Sequence, residues 1–233
     1  MQRLQRLIVI FSVLFAVFIL GPALLGQRFQ PYPLMDRGDV FDLFTPLVLI
    51  PAYWLLLQLR ADRLPTRREM LAFLVLAALW VEAQGMHLVG NSIGHLTGGL
   101  AGSDVAALTH FYDEVLSHYM WHAALIGLSV LLVIRQWKNP FTAEASSLRL
   151  ELGAGILHGI NYSLMVLEGA TTPLGVPFAV LAVLFGLAWG RGKLRQQPIL
   201  AFFLVAYAVA VLVFLGWGLY WGGLPEPSAK GLI

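Results

Sequence analysis

Imidazole and carboxylate side chains are concentrated between Trp80 and Glu168. All six histidines of the chain lie in this stretch, together with several carboxylates in or beside apolar segments: His87, His95, His110, His118, His122, His158, Glu82, Asp113, Glu114 and Glu168. Imidazole and carboxylate ligands without thiolate suit zinc, iron, copper or nickel, and the same groups act as general acids and bases. This stretch is therefore the candidate site for chemistry.

The densest part of the stretch has a helical spacing. His110, Glu114, His118 and His122 follow one another at intervals of four residues, which places them on one slowly drifting face of a helix. His118 and His122 can bind one ion from that face, and a catalytic zinc site needs one more protein ligand and an open position. We expect the third ligand to be His87 or His158. The group that accepts protons, or that hydrogen-bonds to a ligand, is expected to be Glu82, Asp113 or Glu114.

The residue types leave other functions open. Glu82 or Glu114 could bridge two irons, and nearby methionines would suit copper, so oxygen chemistry is one alternative. A second is a haem-b electron carrier that serves quinone, with four axial candidates: His87, His118, His122 and His158. A third is a metal or proton transporter in which these groups form a relay. Each histidine could also be a hydrogen-bonded contact between helices.

The composition predicts the environment of these residues. The chain is 58% hydrophobic and 12% charged, whereas soluble domains have about 25% charged residues. This predicts an all-α integral membrane protein. The net charge is +2 and the basic residues are spread along segment ends, which gives no reason to expect a nucleic-acid partner. The absence of cysteine excludes disulfides, thiolate metal sites and cysteine nucleophiles.

Seven apolar segments approach the roughly 20 residues that a helix needs to cross a membrane. We predict one domain, a bundle of seven transmembrane helices, with spans at about 7–25, 41–59, 70–94, 111–134, 148–168, 174–189 and 198–221. The run from Leu7 to Leu25 is long for a signal peptide, and we expect it to be the first span. Partner membrane subunits are compatible with this architecture.

The distribution of lysine and arginine predicts an orientation. If seven spans alternate, one side receives twelve basic residues: Arg3, Arg6, Arg60, Arg63, Arg67, Arg68, Arg135, Lys138, Arg149, Arg191, Lys193 and Arg195. The other side receives only Arg28, Arg37 and Lys230. Because basic residues are retained in the cytoplasm, we predict a cytoplasmic N-terminus and a C-terminus on the outer side.

This topology allows the depth of each histidine to be estimated from the 1.5 Å rise per helical residue. His87 and His118 lie about 12 Å below the outer ends of the third and fourth spans, His158 lies about 15 Å down the fifth, and His122 about 18 Å down the fourth. Because short connections favour neighbouring helices, we expect these histidines to meet, with Glu82 near the level of His122. His95, His110 and the acidic residues Asp36, Asp39 and Asp42 are expected to be solvated at the outer surface.

Two short motifs resemble those of a known family. Ser117-His118-Tyr119-Met120-Trp121-His122 resembles the H-x3-H span, and Asn91-Ser92-Ile93-Gly94-His95-Leu96-Thr97-Gly98 an N-x3-H-L-x-G stretch, of a membrane hydrolase superfamily that includes the progestin and adipoQ receptors and the alkaline ceramidases. The resemblance implies a seven-span core that holds zinc through three histidines. Only His118 and His122 match by motif, and they lie on the fourth span here rather than on the last core span.

The hypothesis that combines these observations is that the chain is a membrane metalloprotein with a buried His/Glu site. We expect metal-dependent hydrolysis of a lipid-like or small substrate, with zinc ahead of iron, copper and haem b. In this reading His118, His122 and one of His87 or His158 hold the ion, while Glu82 or Glu114 transfers protons.

Overall fold

A computed structural model describes residues 1–58, 64–142, 145 and 147–232. Within these residues the regular structure is helical, apart from one antiparallel bridge between Arg28 and Asp36. Seven helices are long and apolar enough to cross a membrane, which confirms the predicted number: α1 Gln2–Leu20, α2 Arg37–Gln58, α3 Arg67–Gly94, α4 Asp104–Lys138, α5 Arg149–Glu168, α6 Thr172–Gly190 and α7 Pro198–Trp221.

Local side-chain chemistry sets several helix ends. At the start of α3, the Thr66 hydroxyl accepts from the Glu69 N–H, and the Glu69 carboxylate accepts from the Thr66 N–H, at 3.2 and 2.8 Å. This reciprocal pair is a capping box, which satisfies two backbone donors that the helix leaves free. Ser103 caps α4 in the same position, by accepting from the Ala106 N–H at 3.3 Å. The α4 helix therefore begins seven residues before the predicted position 111.

Three of the helices are not uniform, and one of them, α6, ends in a π-helical turn over Gly186–Gly190. The α2 helix is a short piece, Arg37–Asp42, followed after a two-residue break by Thr45–Gln58. The α4 helix has a π-helical turn over Phe111–Ser117, between the α-helical pieces Asp104–His110 and His118–Lys138. Such π segments are rare and often occur at functional sites.

The packing order around the bundle differs from the chain order. The α3 helix packs against α4 as expected, but α5 packs mainly against α1 and α7 rather than against α4. Glycines explain this choice: a Cβ on Gly159 would lie 2.3 Å from the Ala206 carbonyl oxygen of α7, and one on Gly155 would lie 2.8 Å from the side chain of Val205. Only residues without a side chain allow α5 and α7 to approach this closely.

The packing leaves two chemically different ends. One end carries the start of α1, α3 and α5 and the end of α4, where the described basic residues concentrate. At the opposite end, α1, α3 and α5 terminate and α2 and α4 begin, and the segment after α7 folds back over it. There the Ser228 N–H donates to the Glu168 carboxylate at 3.0 Å.

Candidate functional site

A cavity of about 530 Å³ opens at this second end of the bundle. Ten ionisable side chains of the described residues line it: six carboxylates and four histidines, Asp36, Asp39, Asp42, Glu114, Glu168, Glu226, His87, His95, His118 and His122. No lysine or arginine of the described residues lines it. Apolar side chains also line it, among them Leu20, Leu25 and Leu164. The lining therefore combines many carboxylates with hydrocarbon surface.

His87 is oriented from behind by a buried carboxylate. Its Nδ1 lies 2.9 Å from Oδ1 of Asp113, which is buried and is not among the residues that line the cavity. Gly90 makes this pairing possible, because a Cβ there would lie 2.7 Å from the Cβ of Asp113. The contact between Nδ1 and Oδ1 has ion-pair length but not the alignment of a hydrogen bond, because neither of these two atoms has a hydrogen-bond partner among the described residues.

His118 lies beside His87, and the centroids of the two rings are 5.0 Å apart. Its Nδ1 is 3.5 Å from Oε2 of Glu114, a contact of ion-pair length rather than a short hydrogen bond. Glu114 is 41% exposed at its side chain, so it lies at the wet side of the site. A Cβ on Gly169, which follows α5, would lie 3.3 Å from Nδ1 of His118.

His122 has the most clearly defined environment of the three. Its Nδ1 contacts the hydroxyl of Thr171, and that hydroxyl donates to the carbonyl of Val166 at 3.4 Å. Because the hydroxyl hydrogen is used in that bond, Thr171 accepts the proton of Nδ1, which leaves Nε2 with a free lone pair. Nε2 is buried and has no hydrogen-bond partner among the described residues.

The backbone that brings Thr171 to His122 is unusual. Ala170 has a φ of +49°, a left-handed conformation that costs a non-glycine residue roughly 1–2 kcal/mol. The turn allows the Thr171 N–H to donate back to the Val166 carbonyl at 3.1 Å, which fixes the hydroxyl under the ring. Strained residues of this kind persist where the surrounding structure holds them, often at functional sites.

The π-helical turn determines which carboxylate meets the histidines. In an α-helix the four-residue stripe through His110 and Glu114 would continue to His118 without interruption. Hydrogen bonds from i to i+5 place an extra residue in the turn, and Asp113 rather than Glu114 becomes the buried acid. His110 is left exposed, in agreement with its expected position at the outer surface.

The acidic residues before and within α2 are not simply solvated. The expectation is wrong for Asp39 and Asp42, which are 3% and 7% exposed. Asp42 accepts from the Thr45 hydroxyl at 2.6 Å and from the Gln84 amide at 2.5 Å, and Asp39 accepts from the Asn91 amide at 2.7 Å. The amides of Gln84 and Asn91, both on α3, thus bond the acids of α2 in the cavity wall.

Aromatic side chains close the cavity toward the middle of the bundle. Trp121 lines the cavity, and its ring centroid lies 6.5 Å from that of Trp80. Tyr53 packs edge-on against Trp80 at 6.0 Å, and both side chains are at most 1% exposed. These three side chains therefore separate the cavity from the middle of the bundle within the part of the chain that the structure describes.

Two of the predicted site residues lie elsewhere. His158 is buried among Phe11, Phe15, Phe202 and Phe203, with ring centroids 4.2 to 5.8 Å away, because α5 turns this face toward α1 and α7. Glu82 is exposed on α3, in a groove formed with Leu108 and Tyr112, while its neighbours Ala83 and Gln84 face inward. Neither residue lines the acidic cavity.

The described residues hold no group of three or more histidine, aspartate or glutamate side chains arranged to bind a metal ion. His87, His118 and His122 are nevertheless neighbours, as predicted from their depths, whereas His158 and Glu82, which were expected to join them, are not. The sequence reasoning missed Thr171 and the direct part played by Asp42. A carboxylate within an apolar run was the available signal for Asp42, whereas a threonine beside a turn carried none.

In comparisons with known proteins, no family model, no curated protein and no solved structure matches this chain. The resemblance of the H-x3-H motif to the membrane hydrolase superfamily therefore stays a prediction, and the function is argued from the site alone.

Proposed function

We propose that the chain is an integral membrane protein whose acidic cavity binds a divalent transition-metal ion and hydrolyses an amphiphilic, lipid-like substrate. The seven apolar helices support the insertion, and the distribution of basic residues supports the orientation. The N-terminus then lies in the cytoplasm, and the cavity opens on the outer side.

The observation that carries the proposal is the set of three histidines that face one acidic cavity. His122 is held at Nδ1 by the buried Thr171 hydroxyl, and Nδ1 of His87 lies 2.9 Å from the buried Asp113 carboxylate. Histidines that bind metals characteristically donate the other ring N–H to a carboxylate, carbonyl or similar group, which fixes the ring and its tautomer. The buried Nε2 of His122 carries a lone pair that no donor of the described residues reaches. A buried acceptor of this kind lowers the stability of the fold unless a ligand binds it.

The charges around the cavity favour a cation. Six carboxylates and no described basic side chain line it, so a cation gains electrostatic free energy on entry. The rings of His118 and His122 lie in parallel planes with their centroids 6.0 Å apart. A movement of the His87 side chain toward them would bring together the three ligands of a zinc site. Imidazole ligands suit zinc.

The remaining residues fit roles in hydrolysis. A bound zinc ion supplies a water of lowered pKa and polarises a carbonyl group. Glu114 is beside His118 at the wet side, where it can accept a proton from water, and Asp113 keeps the His87 ring in place. The apolar wall of α1 and α5 offers a surface for a hydrocarbon tail.

The aromatic closure of the cavity favours chemistry over passage. A transporter needs access from both sides, and here Trp121, Trp80 and Tyr53 fill the bundle below the histidines. An enzyme with a substrate that enters from one side requires no such path. The haem and oxygen-chemistry alternatives have no comparable observation in their favour.

The test is zinc binding by the purified protein in detergent, measured by titration and elemental analysis. We expect His122→Ala to weaken zinc binding by roughly 10–100-fold or more, while its matched control His158→Ala keeps the affinity of the unchanged protein. Both replace a fully buried histidine, but only His122 faces the cavity. Equal zinc affinity in the two variants, or no zinc binding by the unchanged protein, would overturn the metal site.

Hydrolysis requires a separate measurement. Fluorescent ester and amide lipids are incubated with the zinc-loaded protein, and we expect turnover that a chelator abolishes and zinc restores. Glu114→Gln should retain zinc but lose most of the turnover, because the amide cannot accept the proton. Zinc binding without turnover of either lipid class would support the metal site but contradict the proposed hydrolase activity.

A further inference from the structure

A second cavity, of about 560 Å³, lies between α4, α6 and α7, away from the histidines. Its walls are almost entirely apolar and include Val130, Ile134, Leu181, Phe185 and Leu204. Several of these side chains are partly exposed at the outside of the bundle, among them Leu181 at 64% and Ile134 at 45%. The cavity is therefore a groove that opens toward the surroundings of the bundle.

The groove has a basic, aromatic mouth. Trp137 lines it near the end of α4, and Nζ of Lys193 lies 4.3 Å from the centre of the Trp137 ring. Phe185 packs against the same tryptophan at 5.2 Å. Lys193 has no carboxylate partner in the part of the chain that the structure describes, and it lies at the end of the bundle where the basic residues concentrate.

The inner end of the groove is closed. Ser129 and Tyr207 are each 3% exposed, and the Ser129 hydroxyl is already bonded to the Leu125 carbonyl at 2.9 Å. Eight residues separate Trp137 from Ser129 along α4, a distance of about 12 Å. One leaflet of the hydrocarbon core is about 15 Å thick, half of the full 30 Å. The groove thus runs from the basic surface to the middle of the bundle, over the length of one leaflet.

We infer that this groove binds an anionic lipid of the cytoplasmic leaflet. One acyl chain lies between α4, α6 and α7, and the phosphate is held at the mouth by Lys193 on the Trp137 ring. Basic pockets between transmembrane helices on the cytoplasmic side recognise anionic head groups in this way. The occupant is a lipid rather than a protein helix, because the groove is about one leaflet long and ends against buried side chains. The inference rests on membrane insertion as proposed above, but not on the metal site.

The test is lipid retention by the metal-free protein, purified in detergent and measured by native mass spectrometry with equal amounts of phosphatidylglycerol and phosphatidylcholine of the same chains. We expect preferential retention of phosphatidylglycerol, and a loss of about fivefold in that preference in Lys193→Ala. Lys230→Ala is the matched control, because Nζ of Lys230 also lies over a tryptophan, Trp221 at 4.9 Å, but Trp221 does not line the groove. Lys230→Ala should keep the full preference.

A second variant tests the groove itself. Ala182→Phe places a ring inside the groove, and we expect it to reduce retention of both lipids while circular dichroism and gel filtration remain unchanged. If Ala182→Phe does not fold, the comparison of Lys193→Ala with Lys230→Ala still decides the inference. Equal retention of the two lipids by the unchanged protein, or an equal effect of the two lysine replacements, would overturn it. Competition by glycerol phosphate alone would also overturn it, because the acyl chain would then contribute nothing.

Discussion

Buried polar side chains occur at both ends of the bundle, but they are used differently. At the basic end, Arg135 is 4% exposed; its Nε donates to the Leu57 carbonyl at 2.7 Å and its Nη1 to Glu69 at 2.8 Å. At the same end, Gln136 accepts from the Ile199 N–H at 2.7 Å and so caps α7. These contacts join α2, α3, α4 and α7, and their charges balance.

At the acidic end, in contrast, the charges do not balance and space remains. Six carboxylates line about 530 Å³ of cavity, and no lysine or arginine of the described residues lines it. The comparison indicates that a buried charge with an opposite protein charge holds helices together. A group of carboxylates beside an open volume is instead suited to a cationic ligand that the chain does not supply.

The largest expected effect concerns orientation: the basic end of the bundle should face the cytoplasm and the acidic end the outer side. A reporter fused after Ile233 should be active only outside the cytoplasm, and one inserted at Asp62, which lies outside the described residues, only inside. Protease protection in intact cells provides the measurement. The reverse pattern would place the acidic cavity on the cytoplasmic side.

Removing a partner at the basic end should be the most destabilising of the substitutions. Arg135→Ala leaves Glu69 and the Leu57 carbonyl without their donor, a loss of about 3–5 kcal/mol for a broken buried pair. We expect a clear fall in the thermal unfolding temperature in detergent, with zinc affinity unchanged in the folded fraction. Arg3→Ala, an exposed arginine at the same end, is the control. Little change in stability would mean that the pair does not join the helices.

The contact of α3 with the π turn can be tested by a smaller effect on stability. Two glycines of α3, one at this contact and one away from it, form a matched pair. A Cβ at Gly90 would lie 2.7 Å from Asp113, whereas nothing lies within 4 Å of one at Gly85. Gly90→Ala should cost about 1–3 kcal/mol of unfolding free energy and weaken zinc binding. Gly85→Ala should stabilise the helix by about 0.5–1 kcal/mol. Both free energies are read from chemical denaturation in detergent, and similar values for the two variants would contradict this packing.

The Thr171 hydroxyl should matter for binding more than for folding. Thr171→Val preserves shape but removes the acceptor for Nδ1 of His122, and we expect zinc affinity to fall about tenfold. Thr171→Ser retains the hydroxyl and should bind zinc as the unchanged protein does. Titration with zinc and thermal unfolding are measured on both variants. An equal loss of affinity in the two would show that the methyl packing, and not the hydrogen bond, positions the ring.

The sequence predicted the seven helices because each apolar run is long, and length and hydropathy are properties of local composition. It also predicted that His87, His118 and His122 are neighbours, because depth in a helix follows from residue counting. It did not predict which way α5 faces. That choice depends on Gly155 and Gly159 packing against α7, and a glycine in a sequence does not specify its partner helix.

The carboxylates were harder to assign than the histidines. Glu82 and Asp113 are both carboxylates within apolar segments, but only Asp113 contacts a site histidine. The inward position of Asp113 arises from the π turn, whose i to i+5 hydrogen bonds leave no pattern in composition or spacing. The role of Thr171 depends on the left-handed Ala170, a conformation that an alanine in a sequence does not signal.

The π turn over Phe111–Ser117 also sets the tolerance of α4 to changes in length. Because it accommodates one residue more per turn than an α-helix, it behaves as a stored insertion. Deleting a single residue there would let the helix become regular while its two halves keep their relative orientation, because the wide turn already absorbs that residue. In a regular α-helix, by contrast, one deleted residue turns the two halves by about 100° relative to each other. The α4 helix should therefore tolerate the loss of one residue at this turn better than in either of its α-helical pieces.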